Sequence, residues 1–117
     1  MKRDNDLLRE LLIEFEAQKS WQIFVHPHLG MTELEITREH HVQLLSDAGF
    51  LLEMGDSLYR MTNSGHDYLD AIRNDGIWKK TKDGAASVGG VTLGIMKEIA
   101  VAYIKQQVSE KLGITIG

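Results

Sequence analysis

Leu7, Leu8, Leu11, Leu12 and Phe15 recur at the spacing that lines one face of a helix. Asp4 or Asn5 caps that first helix and Lys19-Ser20 ends it. Trp21 to Val25 alternates and is rich in β-formers, which predicts a strand stopped by Pro27. His28 to Thr32 reads as a loop. Leu34 and Ile36 alternate with Glu33 and Glu35 and predict a second short strand; a remnant of the helix that precedes a recognition helix is the alternative. Thr37 then caps a helix, with Ile36 and His41 as a hydrophobic staple across its start. Val42, Leu44, Leu45 and Ala48 form the buried face of that helix, and Gly49 is placed to end it in the left-handed conformation.

Phe50 to Met54 and Leu58 to Met61 flank Gly55-Asp56-Ser57, and Gly followed by Asp is a type II′ hairpin signal. Thr62, Asn63 and Ser64 offer caps for a helix whose apolar face is Tyr68, Leu69 and Ile72, broken by Asp75-Gly76. Ile77-Trp78 opens a short turn or helix that ends in Lys79-Lys80-Thr81-Lys82. Asp83 to Gly94 holds four glycines and little that could pack, which predicts a flexible loop. Leu93, Met96, Ile99, Ala100, Tyr103, Ile104, Val108 and Leu112 give a final helix. Its broad apolar stripe predicts a dimer or partner contact.

The run from Ile36 to Asp75 is helix, hairpin, helix, the order of the tail half of a winged helix-turn-helix. The expected class is α+β, mainly helical: a winged helix-turn-helix-like domain with a two-stranded wing and a C-terminal helix. The expected organisation is a winged-helix-like domain over 1–82, a Gly-rich loop over 83–92 and a C-terminal helix over 93–117.

Composition narrows the chemistry. There is no cysteine among the 117 residues, which excludes disulfides, thiolate metal sites and a cysteine nucleophile. The start, MKRDNDLLREL, lacks an apolar signal core, and no apolar run approaches a bilayer span, so a soluble cytoplasmic protein without membrane association is expected. Charge is unevenly placed. Residues 1–75 carry seven Lys/Arg against fourteen Asp/Glu, a net −7, and residues 76–117 carry six against three, a net +3.

Four segments carry a family resemblance: MKRDNDLLRELL, HHVQLLSDAGFL, MTNSGHDYLDAIRNDGIWKKTK and GGVTLGIMKEIA. They are spread over residues 1–100 of the chain, which resembles the bacterial and phage proteins grouped as domain of unknown function 2513. The resemblance implies a winged-helix-like fold and a phage or prophage setting. It implies no activity and supplies no functional residues.

A winged helix that reads double-stranded DNA sets its recognition helix in the major groove. Here that helix would turn Glu39, His40, Gln43, Ser46 and Asp47 outward, with Arg38 at its start. Gln43 suits adenine and Arg38 suits guanine or phosphate, whereas Glu39 and Asp47 oppose phosphates. Arg60 on the wing and Lys79, Lys80 and Lys82 offset part of the cation deficit. The contact set is therefore Arg38, His40, Gln43, Arg60, Trp78, Lys79, Lys80 and Lys82, whether for DNA or for a protein. Trp21 and Phe24 read as core, and Trp78 beside the lysines as the exposed aromatic; Tyr103 is a further candidate anchor.

His26, His28, His40, His41 and His66 lack metal-ligand spacing, and no HExxH is present. His41 reads as a partly buried residue bonded to backbone, and His66 as a first-turn helix residue. Ser46, Ser57 and Ser64 lack a nucleophile elbow. No catalytic, cofactor or metal site is expected. The first functional expectation is a non-enzymatic, dimeric DNA-binding regulator. The second is an acidic interaction module that holds a host or phage protein by a basic surface.

Overall fold

The computed structural model describes residues 1–113. The chain is α+β and mainly helical, and it divides into two compact units, Met1–Leu69 and a second beginning at Asp70.

In the first unit, α1 (Asn5–Ala17) starts where the Asp4 carboxylate accepts the backbone N–H groups of Asp6 and Leu7, at 3.0 and 3.1 Å. Leu8, Leu11, Leu12 and Phe15 are buried along it. β1 (Gln22–Phe24) follows, and the backbone N–H of Val25 still donates to Ser57 at 2.9 Å.

The next element departs from the expected order. Helix α2 runs Glu33–Asp47, so neither a strand at Leu34–Ile36 nor a helix start at Thr37 occurs. Thr32 is the cap: its hydroxyl accepts the Glu35 N–H at 3.2 Å. The physical reason is that Leu34 and Ile36 are 83% and 46% exposed, so their alternation does not mark a core-facing strand. Glu33 and Glu35 in the first turn suit the positive end of the helix dipole. The Ile36–His41 staple is absent, because Ile36 lies outside the core while His41 is fully buried.

Gly49 ends α2 with φ 82°, as its placement predicts. β2 (Leu51–Gly55) and β3 (Leu58–Met61) then form the wing. The hairpin turn is not type II′, because the left-handed residue is Ser57 (φ 59°) and not Gly55. Gly55 pairs with Leu58, next to an irregularity in register after Glu53. The sheet order is β1-β3-β2, antiparallel throughout, with Ile23 opposite Tyr59 and Leu51 opposite Met61.

Helix α3 (Asn63–Ile72) is capped by Thr62, whose hydroxyl accepts the Gly65 N–H at 3.0 Å. Tyr68 stacks on Phe50 with ring centroids 4.8 Å apart, and Leu69 and Ile72 are buried. The whole is a winged-helix-like arrangement with a two-stranded wing and one further strand.

α3 ends at Ile72, ahead of Asp75-Gly76, and in the second unit that pair opens the next helix. Helix α4 (Asp75–Val88) is capped by Asn74, and it continues through the segment expected as a Gly-rich loop. Only Gly89 to Thr92 separates it from α5 (Leu93–Leu112). The small residues explain both the misleading sequence and the packing. A Cβ at Gly84 would lie 3.2 Å from the Tyr103 hydroxyl, so the absence of one admits α5 closely. Ile77, Trp78, Thr81 and Ala85 of α4 are buried, as are Leu93, Met96 and Ala100 of α5.

Candidate partner-binding surface

The second half of α2 is anchored by a histidine. The Nδ1–H of His41 donates to the Thr37 carbonyl at 2.8 Å, and its Nε2 accepts the Asp4 N–H at 2.8 Å. Both bonds together require the neutral tautomer protonated at Nδ1. His41 thus ties α2 to the start of α1; the sequence predicts its backbone bond, and its burial is complete where partial burial is expected.

With α2 fixed this way, its outward residues can be read. Arg38 is not available as a simple cation: its guanidinium pairs with Glu14, and its Cζ lies 5.6 Å from the centroid of the Phe15 ring. His40 packs edge-on against His41. Gln43 donates its amide to the Tyr59 hydroxyl, which in turn donates to Glu53 at 3.0 Å. Burial, and then the bond to Glu53, push the Tyr59 hydroxyl above its ordinary pKa. A cavity of about 270 Å³ opens beside this chain of bonds, and Glu39, Glu53 and Asp56 all line it.

Apart from the paired Arg38 and Gln43, what α2 leaves exposed is acidic and apolar. Glu33, Leu34, Ile36 and Asp47 are all exposed. The loop ahead of it adds Leu29, and His28 is held to Glu35 by a 2.7 Å contact. The Leu29 carbonyl, and then Glu35, raise the His28 pKa; the His28 bond is the main cause of the lowered Glu35 pKa.

The aromatic assignments are reversed. Trp21 and Phe24 are 62% and 57% exposed, whereas Trp78 is 4% exposed. The reason for Trp78 is the continuation of α4, which gives it a helix to pack along. Lys82 sits 5.4 Å over its ring. For Trp21 and Phe24, β1 is too short and too near the sheet edge to cover both faces of an alternating run. On the wing, Leu52 and Met54 are each 46% exposed.

The structure brings Arg38, His40 and Gln43 together on α2, with Arg60 on β3 of the same unit. Trp78, Lys79, Lys80 and Lys82 belong to α4 in the other unit, and Lys79 pairs with Asp83 at 3.2 Å. Leu34, Trp21 and Phe24 are the exposed residues that the periodicity reading missed. For Leu34, only the two acids that alternate with it and Ile36, Glu33 and Glu35, hinted at exposure.

Elsewhere, His66 faces Glu16 at 4.0 Å, within the first turn of α3. Among the described residues, no three His, Asp or Glu side chains converge as a metal-ligand set, and no helix is long and apolar enough to cross a membrane.

Residues 2–92 match the family described as "Hypothetical protein (DUF2513)". An uncharacterised protein of Haemophilus influenzae is 32% identical over 119 residues, spanning 93% of this chain and 100% of the relative. No solved structure matches the chain. The chain belongs to the DUF2513 family.

Proposed function

We propose that this DUF2513 protein is a non-enzymatic interaction module, an adaptor or inhibitor whose partner presents a basic surface. One observation carries the reading. The helix from which a winged helix would read DNA exposes Glu33, Leu34, Ile36 and Asp47, while its arginine is already paired with Glu14. Phosphate contacts supply most of the affinity for DNA. A face of acids and leucine-like side chains suits a protein with cations around an apolar patch. A small inhibitor of this kind fits the phage or prophage setting implied by the family resemblance.

The test compares two baits. A partner captured by the wild-type chain and released by both Leu34→Glu and elevated salt supports the reading. A partner held equally by Leu34→Glu rejects it.

A DNA-binding regulator is the second reading. It is favoured by the sheet order β1-β3-β2 beside α2, which is the layout of a wing and reading helix. Gln43 and Arg60 would be its contacts in the first unit. Anisotropy titrations against DNA from the gene's own promoter, at two salt concentrations, should show affinity falling steeply with salt if it holds. Binding without a salt slope, or no binding, rejects it.

A further inference from the structure

The first unit has few free cations, and two of them share one cavity. Of its six Lys/Arg, Arg38 is paired with Glu14. The side chains of Lys19 and Arg60 have no hydrogen bond or ion pair among the described residues. Both line a cavity of about 390 Å³ at the C-terminal end of α1, against β1 and β3. Trp21, 62% exposed, lines the same cavity, as does His66. Phe15, Ile23 and Met61 give it an apolar floor, and all three are buried. Glu16 is the carboxylate in the lining, and it faces His66.

This grouping inverts the charge of its surroundings. A half-buried guanidinium forks onto a phosphate or carboxylate through two parallel bonds. An exposed indole offers a face on which a planar ring stacks, at roughly 1–3 kcal/mol per base for nucleic-acid bases. The volume lies at the low end of small-ligand pockets, roughly 300–1,000 Å³, which suits one nucleotide and not a dinucleotide.

We infer that this cavity binds a nucleoside monophosphate, with the base on Trp21 and the phosphate between Arg60 and Lys19. The site is separate from the acidic face of α2, and its occupancy does not depend on any protein partner.

Calorimetric titration of the intact chain with AMP, CMP, adenosine, inorganic phosphate and a short thymidine oligonucleotide tests it. AMP and CMP should bind, with adenosine and phosphate each about tenfold weaker or worse, because each lacks one half of the contact. Binding should quench Trp21 emission, and the buried Trp78 serves as an internal reference. Lys19→Ala lies in an exposed connection and should leave the fold intact while weakening AMP about tenfold, the loss of one charge-assisted bond. Trp21→Ala should remove the preference for AMP over phosphate.

The assignment is overturned if neither nucleotide gives heat. It is equally overturned if Lys19→Ala and Arg60→Gln both bind AMP like the wild type, or if the oligonucleotide binds far more tightly than the mononucleotide, which would make the ligand a strand.

Discussion

Gly65 shows how a single residue can carry a fold without advertising it. It sits in the first turn of α3, and a Cβ built there would come 2.2 Å from the Phe50 carbonyl oxygen and 2.9 Å from the Met61 side chain. Alanine would gain about 1 kcal/mol of helix propensity. It would also drive a methyl into backbone, where overpacking costs about 1–3 kcal/mol and a carbonyl cannot swing aside as a side chain tip can. The clash wins, so Gly65→Ala should lower stability by about 1 kcal/mol, read as a lower urea midpoint with an unchanged slope. At the other end of the exposure scale, His28 and Glu35 form a surface pair whose effect is confined to pH. His28 is raised, so its contribution is present below its ordinary pKa and lost as pH rises through the raised value. Glu35 is lowered, so its contribution is present above its ordinary pKa and lost as pH falls through the lowered value. The contact is therefore strongest in mildly acidic solution. Proton NMR should place the His28 titration above that of a free histidine, and Glu35→Gln should bring it down. A His28 titration unmoved by Glu35→Gln would dissolve the pair.

At the scale of elements, the amphipathic ones were legible and the rest were not, for two different reasons. α1, β3, α3 and α5 each bury a periodic apolar set, so period and burial agree there. The start of α2 misleads because its alternating apolar residues point away from the core: Leu34 and Ile36 are exposed. Alternation is informative only when one face is buried. α4 misleads because Gly84, Ala85 and Ala86 carry no apolar period, although the missing Cβ of Gly84 is what lets Tyr103 of α5 approach. The same two effects decided the candidate surface. Trp78 looked exposed because its turn or helix was expected to end by Lys82, and Trp21 and Phe24 looked buried because β1 was read as longer than it is. The boundary of α2 is open to measurement. Thr32 caps it by accepting the Glu35 N–H, whereas Thr37 lies inside the helix. Thr32→Ala should cost about 1 kcal/mol in a denaturant melt, and Thr32→Ser should recover most of it. A start at Thr37 would reverse the pattern, with Thr37→Ala costly and Thr32→Ala neutral.

For the molecule as a whole, the unused surface of α5 is the strongest statement about assembly. The helix buries Leu93, Met96 and Ala100 within its own unit, yet Ile99, Tyr103, Ile104 and Val108 are only half-buried, and Ile95 and Leu112 are 43% and 66% exposed. A shallow groove of about 490 Å³ also runs along Gly94, Glu98, Val101, Ala102 and Lys105. Small residues along such a groove let a second helix come near, and Glu98 with Lys105 would pair with their counterparts in an antiparallel copy. A two-fold dimer through this face is the expected arrangement. Deleting α5 would be a poor test, because α4 would lose its cover over Ile77, Trp78 and Ala85. A charge placed in the groove is cleaner: Val101→Glu leaves the α4 contacts of Leu93, Met96 and Ala100 in place. Sedimentation velocity should show the wild type as a dimer and Val101→Glu as a monomer with the same helical circular dichroism. A wild type that sediments as a monomer at micromolar concentration would remove the dimer, and the apolar face of α5 would then be a surface for a different protein.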